Sequence, residues 1–104
     1  MVESIKAPER GNFIWLSFDP QKGRRPAVVL SPREYNERVG LALMCPITSK
    51  KKGYPFEVEL PVDSPVSGVI LSDQVKSLDW KAQEADVFGI ASQDVISEVL
   101  QKLN

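Results

Sequence analysis

Asn12-Phe13-Ile14-Trp15-Leu16-Ser17-Phe18, Asp19-Pro20-Gln21-Lys22-Gly23 and Pro26-Ala27-Val28-Val29-Leu30-Ser31 read in succession as a strand, a tight turn and a second strand. The first run is aromatic and apolar, and the residues after it carry turn chemistry. The second is a short continuous apolar run, as a strand buried on both faces requires, and Pro26 stands at its start, where a missing N–H is tolerated. Working outward, Ser31-Pro32-Arg33-Glu34 predicts a capping box, with Ser31 as N-cap and Pro32 at the first helical position, opening a short helix through Asn36 that ends near Gly40. Leu41–Cys45 reads as a third strand closed by Pro46. Phe56–Leu60 reads as a fourth, with period-two alternation placing Glu57 and Glu59 on one face. Val69–Leu71 and Val75–Leu78 are two further short strands, and a weaker extended segment covers Asp86–Phe88. Ser92 caps a final helix in which Val95, Ile96, Val99, Leu100 and Leu103 form one apolar stripe. The fold expected is mainly β with α: a strongly curved antiparallel sheet or small barrel, capped by a C-terminal helix.

The chain has 104 residues, of which 42% are hydrophobic and 26% charged, an ordinary globular composition that predicts a single domain over residues 1–104. No apolar run is long enough to span a bilayer, and the N-terminal residues lack the apolar stretch of a signal peptide, so a cytoplasmic address and no membrane contact are expected. Histidine is absent and Cys45 is the sole cysteine. That composition excludes a zinc cluster, an intrachain disulfide and any catalytic set built on histidine, and neither a metal nor a cofactor is expected.

A net charge of -1 argues against bulk electrostatic coating of nucleic acid, but the average hides a division. Residues 1–52 hold ten Lys and Arg against five Asp and Glu, whereas residues 53–104 hold three against nine. A localised basic face follows from that asymmetry. Arg24 and Arg25 follow a turn and precede a buried strand, and their rigid forks of donors match phosphate oxygens. Thr48 and Ser49 place hydroxyls at a strand end. Lys50, Lys51 and Lys52 stand beside Tyr54 and Phe56, combining backbone attraction with aromatic faces for base stacking, as a single-stranded nucleic-acid groove requires. Trp15 and Trp80 read as packing anchors.

Arg10–Pro20, Arg25–Pro32, Tyr35-Asn36, Cys45–Thr48, Lys52–Glu57 and Ser72–Trp80, taken in this order, resemble the MazF/PemK-type toxins of bacterial toxin–antitoxin systems over nearly the whole chain. The resemblance implies an SH3-like barrel of the CcdB/PemK type with a C-terminal helix. It implies a homodimer acting as a sequence-specific, metal-independent endoribonuclease on single-stranded RNA, leaving 2',3'-cyclic phosphate and 5'-hydroxyl ends. It also implies inhibition by a MazE-like antitoxin presenting an extended acidic segment, with DNA bound only through the antitoxin complex. Carried over by position, the family's catalytic arginine is Arg25 and its catalytic threonine is Thr48. Lys22, Arg24, Ser49, Lys50, Lys52, Tyr54, Phe56 and Gln74 are the expected RNA-binding residues. A guanidinium is a poor base, so a substrate oxygen, a water or a carboxylate is left to take the 2'-hydroxyl proton. In one respect the chain departs from the pattern: relatives carry a longer loop before the Arg-Pro pair, whereas here Lys22-Gly23 runs straight into Arg24-Arg25. Two other readings are a noncatalytic RNA-binding relative and a CcdB-like poison of a protein target such as gyrase. The second depends on a Trp-Gly-Ile chain end, where this sequence has Gln101-Lys102-Leu103-Asn104.

Overall fold

The computed structural model describes residues 6–19 and 23–103. Among them run β1 (Asn12–Asp19), β2 (Gly23–Val29), α1 (Arg33–Val39), β3 (Ala42–Thr48), β4 (Glu57–Glu59), β5 (Val69–Leu71), β6 (Lys76–Leu78), β7 (Asp86–Ile90) and α2 (Gln93–Lys102). All strand pairs are antiparallel, in the order β4-β5-β3-β2-β1-β7, with β6 also on β3.

The alternation of side chains along the strands divides the interior into two layers. Phe13, Val28, Cys45, Ile47, Val58 and Ile70 face one way and are covered by Val95, Ile96 and Val99 of α2. Ile14, Leu16, Ala27, Val29, Ala42 and Met44 face the other way and pack with Trp80. Each fully buried aliphatic side chain contributes about 1.5–3 kcal/mol, so the stripe on α2, rather than helix propensity, holds that helix to the sheet. Ser92 caps it as expected, its side chain accepting from the Val95 N–H. Leu100 and Leu103 of the expected stripe lie at its margin, each more than a third exposed.

Several boundaries differ from the sequence expectation. β3 does not stop at Pro46 but continues to Thr48. The Leu30 N–H donates to the Leu43 carbonyl, so by alternation the Pro46 nitrogen points away from β2. On that outer edge β6 pairs with β3 only as far as Met44 and β5 begins at Ile47, so no ladder bond is lost at the proline. β2 begins at Gly23, which brings both Arg24 and Arg25, expected between the turn and the strand, into the strand itself. α1 runs to Val39, and the capping box is not made: Pro32 holds the N-cap position without a side-chain bond. The Ser31 hydroxyl is instead used inward, donating to Asn36 Oδ1 and accepting from the Leu43 N–H. Glu57 and Glu59 have unlike surroundings, Glu57 buried and Glu59 exposed beside Lys51. β7 extends beyond the expected segment, to Ile90.

Asn36 and Trp80 lock α1 to the sheet. The Trp80 indole N–H donates to the Asn36 carbonyl at 2.8 Å, and Asn36 Nδ2 donates to the carbonyls of Pro8 and Ser31 at 2.8 and 3.0 Å. Cys45 is fully buried, and burial first, then the charge of Asp73, pushes its thiol up to about 12. The thiol therefore stays protonated in the folded protein, and its contribution to stability is lost as pH rises above the ordinary value of 9.0. A thiol reagent at pH 8 is expected to label native protein at least about 10²-fold more slowly than denatured protein, because reaction has to wait for opening; equal rates in a stopped-flow comparison would contradict this burial. No helix among the described residues is long and apolar enough to cross a membrane.

Candidate active site

The end of β3 and the segment after it build a cavity of about 180 Å³, lined by Thr48, Lys50, Lys52, Tyr54, Phe56, Glu57, Leu71 and Gln74. Thr48 is the last residue of β3 and is held against Val69 of β5. Its hydroxyl oxygen accepts from the Lys50 N–H at 3.2 Å, which orients the side chain and leaves its proton available to an acceptor in the cavity.

The lysine run alternates between two environments. Lys51 pairs with Glu59 at 2.6 Å, and that hydrogen bond and charge raise its pKa. Lys50 and Lys52 line the cavity, and among the described residues no carboxylate pairs with either. Tyr54 stacks on Phe56 at 5.2 Å between ring centroids, and Tyr54 remains half exposed. Glu57 folds the loop from within: Oε2 accepts from the Lys52 N–H at 3.1 Å and Oε1 from the Gly53 N–H at 3.0 Å. Gly53 has φ of +82°, the left-handed conformation that lets the chain turn there. The Lys102 ammonium donates to the Glu57 carbonyl at 2.8 Å, tying the end of α2 beneath the loop.

Arg24 and Arg25 separate because neighbours on a strand point to opposite faces. Arg24 reaches over β1, donating to the carbonyls of Trp15 at 3.1 Å and Glu84 at 2.9 Å and to Asp86 at 3.3 Å. It lines a second cavity of about 420 Å³ with Trp80, Lys81, Glu84, Ala85 and Asp86, and is no part of the cavity at Thr48. Arg25 is exposed, and no acceptor to its guanidinium is found among the described residues. β2 and β3 pair as Val29 with Met44, Val28 with Cys45 and Ala27 with Pro46. Continued along both strands, that register sets Arg25 opposite Thr48, on one face of the sheet.

Of the residues expected to contact RNA, Lys50, Lys52, Tyr54, Phe56 and Gln74 share the cavity with Thr48. Ser49 is exposed beside it without lining it. Lys22 lies outside the described residues. Glu57 and Leu71 complete the wall and are not among the residues expected at the site. For Glu57 the signal was present: one acid four residues beyond a glycine that follows three lysines. Among the described residues no cluster of carboxylates and cysteine is arranged to hold a metal ion.

A small curved antiparallel sheet with a C-terminal helix, carrying a cationic, hydroxyl-bearing cavity where its third strand ends, has the SH3-like fold of the PemK/CcdB type. Residues 9–104 match the PemK-like, MazF-like toxins of type II toxin–antitoxin systems, and the chain belongs to that family. It is 44% identical over 102 residues to the endoribonuclease toxin MazF of Escherichia coli, an alignment covering 93% of this chain and 91% of that protein. It is 33% identical over 106 residues to the endoribonuclease toxin ChpB of the same organism, covering 91% and 90%. The crystal structure of MazE-MazF from Deinococcus radiodurans superposes with a TM-score of 0.89 at 49% identity, covering 95% of this chain and 93% of that one.

Proposed function

We propose that this MazF-like endoribonuclease toxin cuts single-stranded RNA at a short recurring sequence, without a metal, by attack of the neighbouring 2'-hydroxyl. The observation that supports the reading is the grouping of Thr48 with Lys50, Lys52, Tyr54, Phe56 and Gln74 around one cavity; Arg25 comes beside it when the β2–β3 register is continued two residues past Ala27 and Pro46. Lys50 and Lys52 attract the phosphate backbone, the exposed face of Tyr54 offers a stacking surface, and the Gln74 amide supplies a donor and an acceptor for a base edge. In the reaction the 2'-oxygen forms a bond to phosphorus as its proton passes to a base that none of these side chains supplies: a substrate oxygen, a water or a carboxylate. The bond to the 5'-oxygen breaks, and that oxygen takes up one proton from solvent and departs as a hydroxyl, leaving a 2',3'-cyclic phosphate, so that no net proton is consumed. Arg25 complements the charge that builds on the phosphoryl oxygens, and the Thr48 hydroxyl donates to one of them.

As a toxin of a type II system the protein has a cognate antitoxin. An extended acidic segment of that partner fits the same cationic groove and excludes RNA from it, and DNA is engaged only through the resulting complex. The toxin acts in the cytoplasm as a homodimer, so that two such grooves share one particle. The chemistry is tested with an oligonucleotide carrying a single 2'-deoxy residue at the scissile position. That substrate is expected to bind within about threefold of the all-ribose strand and to remain uncut, because the nucleophile is gone while the phosphates stay. Cleavage of the 2'-deoxy strand at the normal rate would assign the attack to water and overturn this mechanism.

A further inference from the structure

Gly68 stands immediately before β5 and takes φ of +126°, a conformation that side-chain-bearing L-residues rarely adopt. Its carbonyl accepts from the Leu60 N–H at 3.0 Å, and its neighbour Val69 pairs both with Glu59 of β4 and with Thr48 of β3. The glycine therefore sits where three strands meet, against the backbone of Thr48 and outside the lining of the candidate site itself. A Cβ added to it would lie 2.9 Å from the Thr48 carbonyl carbon, closer still to the carbonyl oxygen, and 3.2 Å from Ser49 Cα. Every one of those atoms is backbone, and no rotamer change can relieve the overlap.

We infer that Gly68 is a positioning residue for Thr48. The missing side chain lets the segment entering β5 close directly onto the Thr48 carbonyl, which fixes the backbone that aims the Thr48 hydroxyl and places the Lys50 N–H beside it. A side chain at position 68 displaces the end of β3 outward by a fraction of an ångström or more. Lys50, Lys52 and Tyr54 lie beyond the point of contact, on a loop anchored separately by Glu57 and Lys102. The loss is therefore expected in the chemical step rather than in RNA binding. The inference rests on the proposed role of Thr48, and the test keeps the two apart.

The experiment compares Gly68→Ala, Thr48→Ala, the double variant and Gly89→Ala under single-turnover conditions on a fluorogenic RNA, with thermal midpoints recorded alongside. Gly89 is the control for crowding: a Cβ there meets the side chains of Pro65 at 2.9 Å and Phe13 at 3.4 Å, away from Thr48. Gly68→Ala is expected to lower kcat by roughly 30- to 100-fold with KM within about threefold, the size of effect that a misplacement near 1 Å produces. In the Thr48→Ala background it should add no further loss, since a residue acting through Thr48 has nothing left to position. Gly89→Ala should shift the midpoint and leave kcat intact. A wild-type kcat for Gly68→Ala, or a loss that multiplies in full with that of Thr48→Ala, overturns the inference. A wild-type kcat for Thr48→Ala overturns the underlying reading of the site instead. Should Gly68→Ala not fold, D-alanine introduced at position 68 by peptide ligation keeps the test open. Its Cβ takes the other hydrogen's place and its φ suits a D-residue, so kcat should be retained, and a folded D-alanine protein with the catalytic loss would refute the contact with Thr48 as the cause.

Discussion

Arg25→Ala is expected to lower the rate of RNA cleavage by about 10³-fold while leaving the protein folded, the loss typical of removing one preorganised donor to a developing oxyanion. The argument has two parts. Arg25 is the one arginine of its pair whose guanidinium is not engaged by the described residues, while its backbone is held in β2 by pairing with Leu16 of β1, two residues from the last β2–β3 pair, Ala27 with Pro46. A side chain with no partner among the described residues costs little when removed, so the change in stability should stay within about 0.5 kcal/mol. RNA affinity should fall only several-fold, because Lys50 and Lys52 still supply positive charge. Arg25→Lys should recover little of the rate, since an ammonium cannot present two parallel donors to a phosphate. Single-turnover cleavage with far-UV circular dichroism checks both halves, and retention of more than about a tenth of the wild-type rate would exclude Arg25 from the chemistry.

Asn36→Ala is expected to be the most destabilising single change outside the apolar core. The side chain is fully buried, donates to two carbonyls and receives the Ser31 hydroxyl, and its own carbonyl anchors Trp80. Alanine at this position strands the carbonyls of Pro8 and Ser31 without a donor and opens a void. Orphaned buried polar groups cost about 1–3 kcal/mol each, and with partial relaxation a total of about 4 kcal/mol is expected. For a chain of this length that is a fall of roughly 15–25 °C in the melting temperature. Differential scanning calorimetry measures it directly; a fall under about 5 °C would show that the network contributes little.

The elements that could be read in the sequence are those whose signal is local. α2 announces itself through a capping serine and five apolar residues at helical spacing, of which Val95, Ile96 and Val99 are buried, and β5 through a bare apolar triplet between turns. What could not be read depends on pairing across long separations. Pro46 looked like a strand end, yet its missing N–H falls in a gap between two partners, β6 and β5, which only the assembled sheet reveals. Ser31 has the composition of a helix cap, but a buried asparagine five residues on offers its hydroxyl a better place. The candidate site follows the same division. Thr48, Lys50, Lys52, Tyr54 and Phe56 lie within nine residues, so a short stretch of chain suffices to gather them, whereas Leu71 and Gln74 come from farther away. Arg24 could not be placed from its neighbours, because its partners Glu84 and Asp86 sit some sixty residues ahead. Gly68 gave no sign at all, since its importance lies in a backbone twenty residues behind it.

The central claim is metal-independent RNA cleavage by internal transesterification, and the most direct measurement is to map the ends it leaves. Purified protein, free of antitoxin, is incubated in excess chelator with a long unstructured RNA and with a DNA strand of matching sequence, and the fragments are sequenced and their termini identified by mass spectrometry. Discrete cuts at one short recurring motif, with 2',3'-cyclic phosphate and 5'-hydroxyl ends and untouched DNA, are the predicted result. Intact RNA in the presence of chelator, or fragments ending in 5'-phosphate, would contradict it.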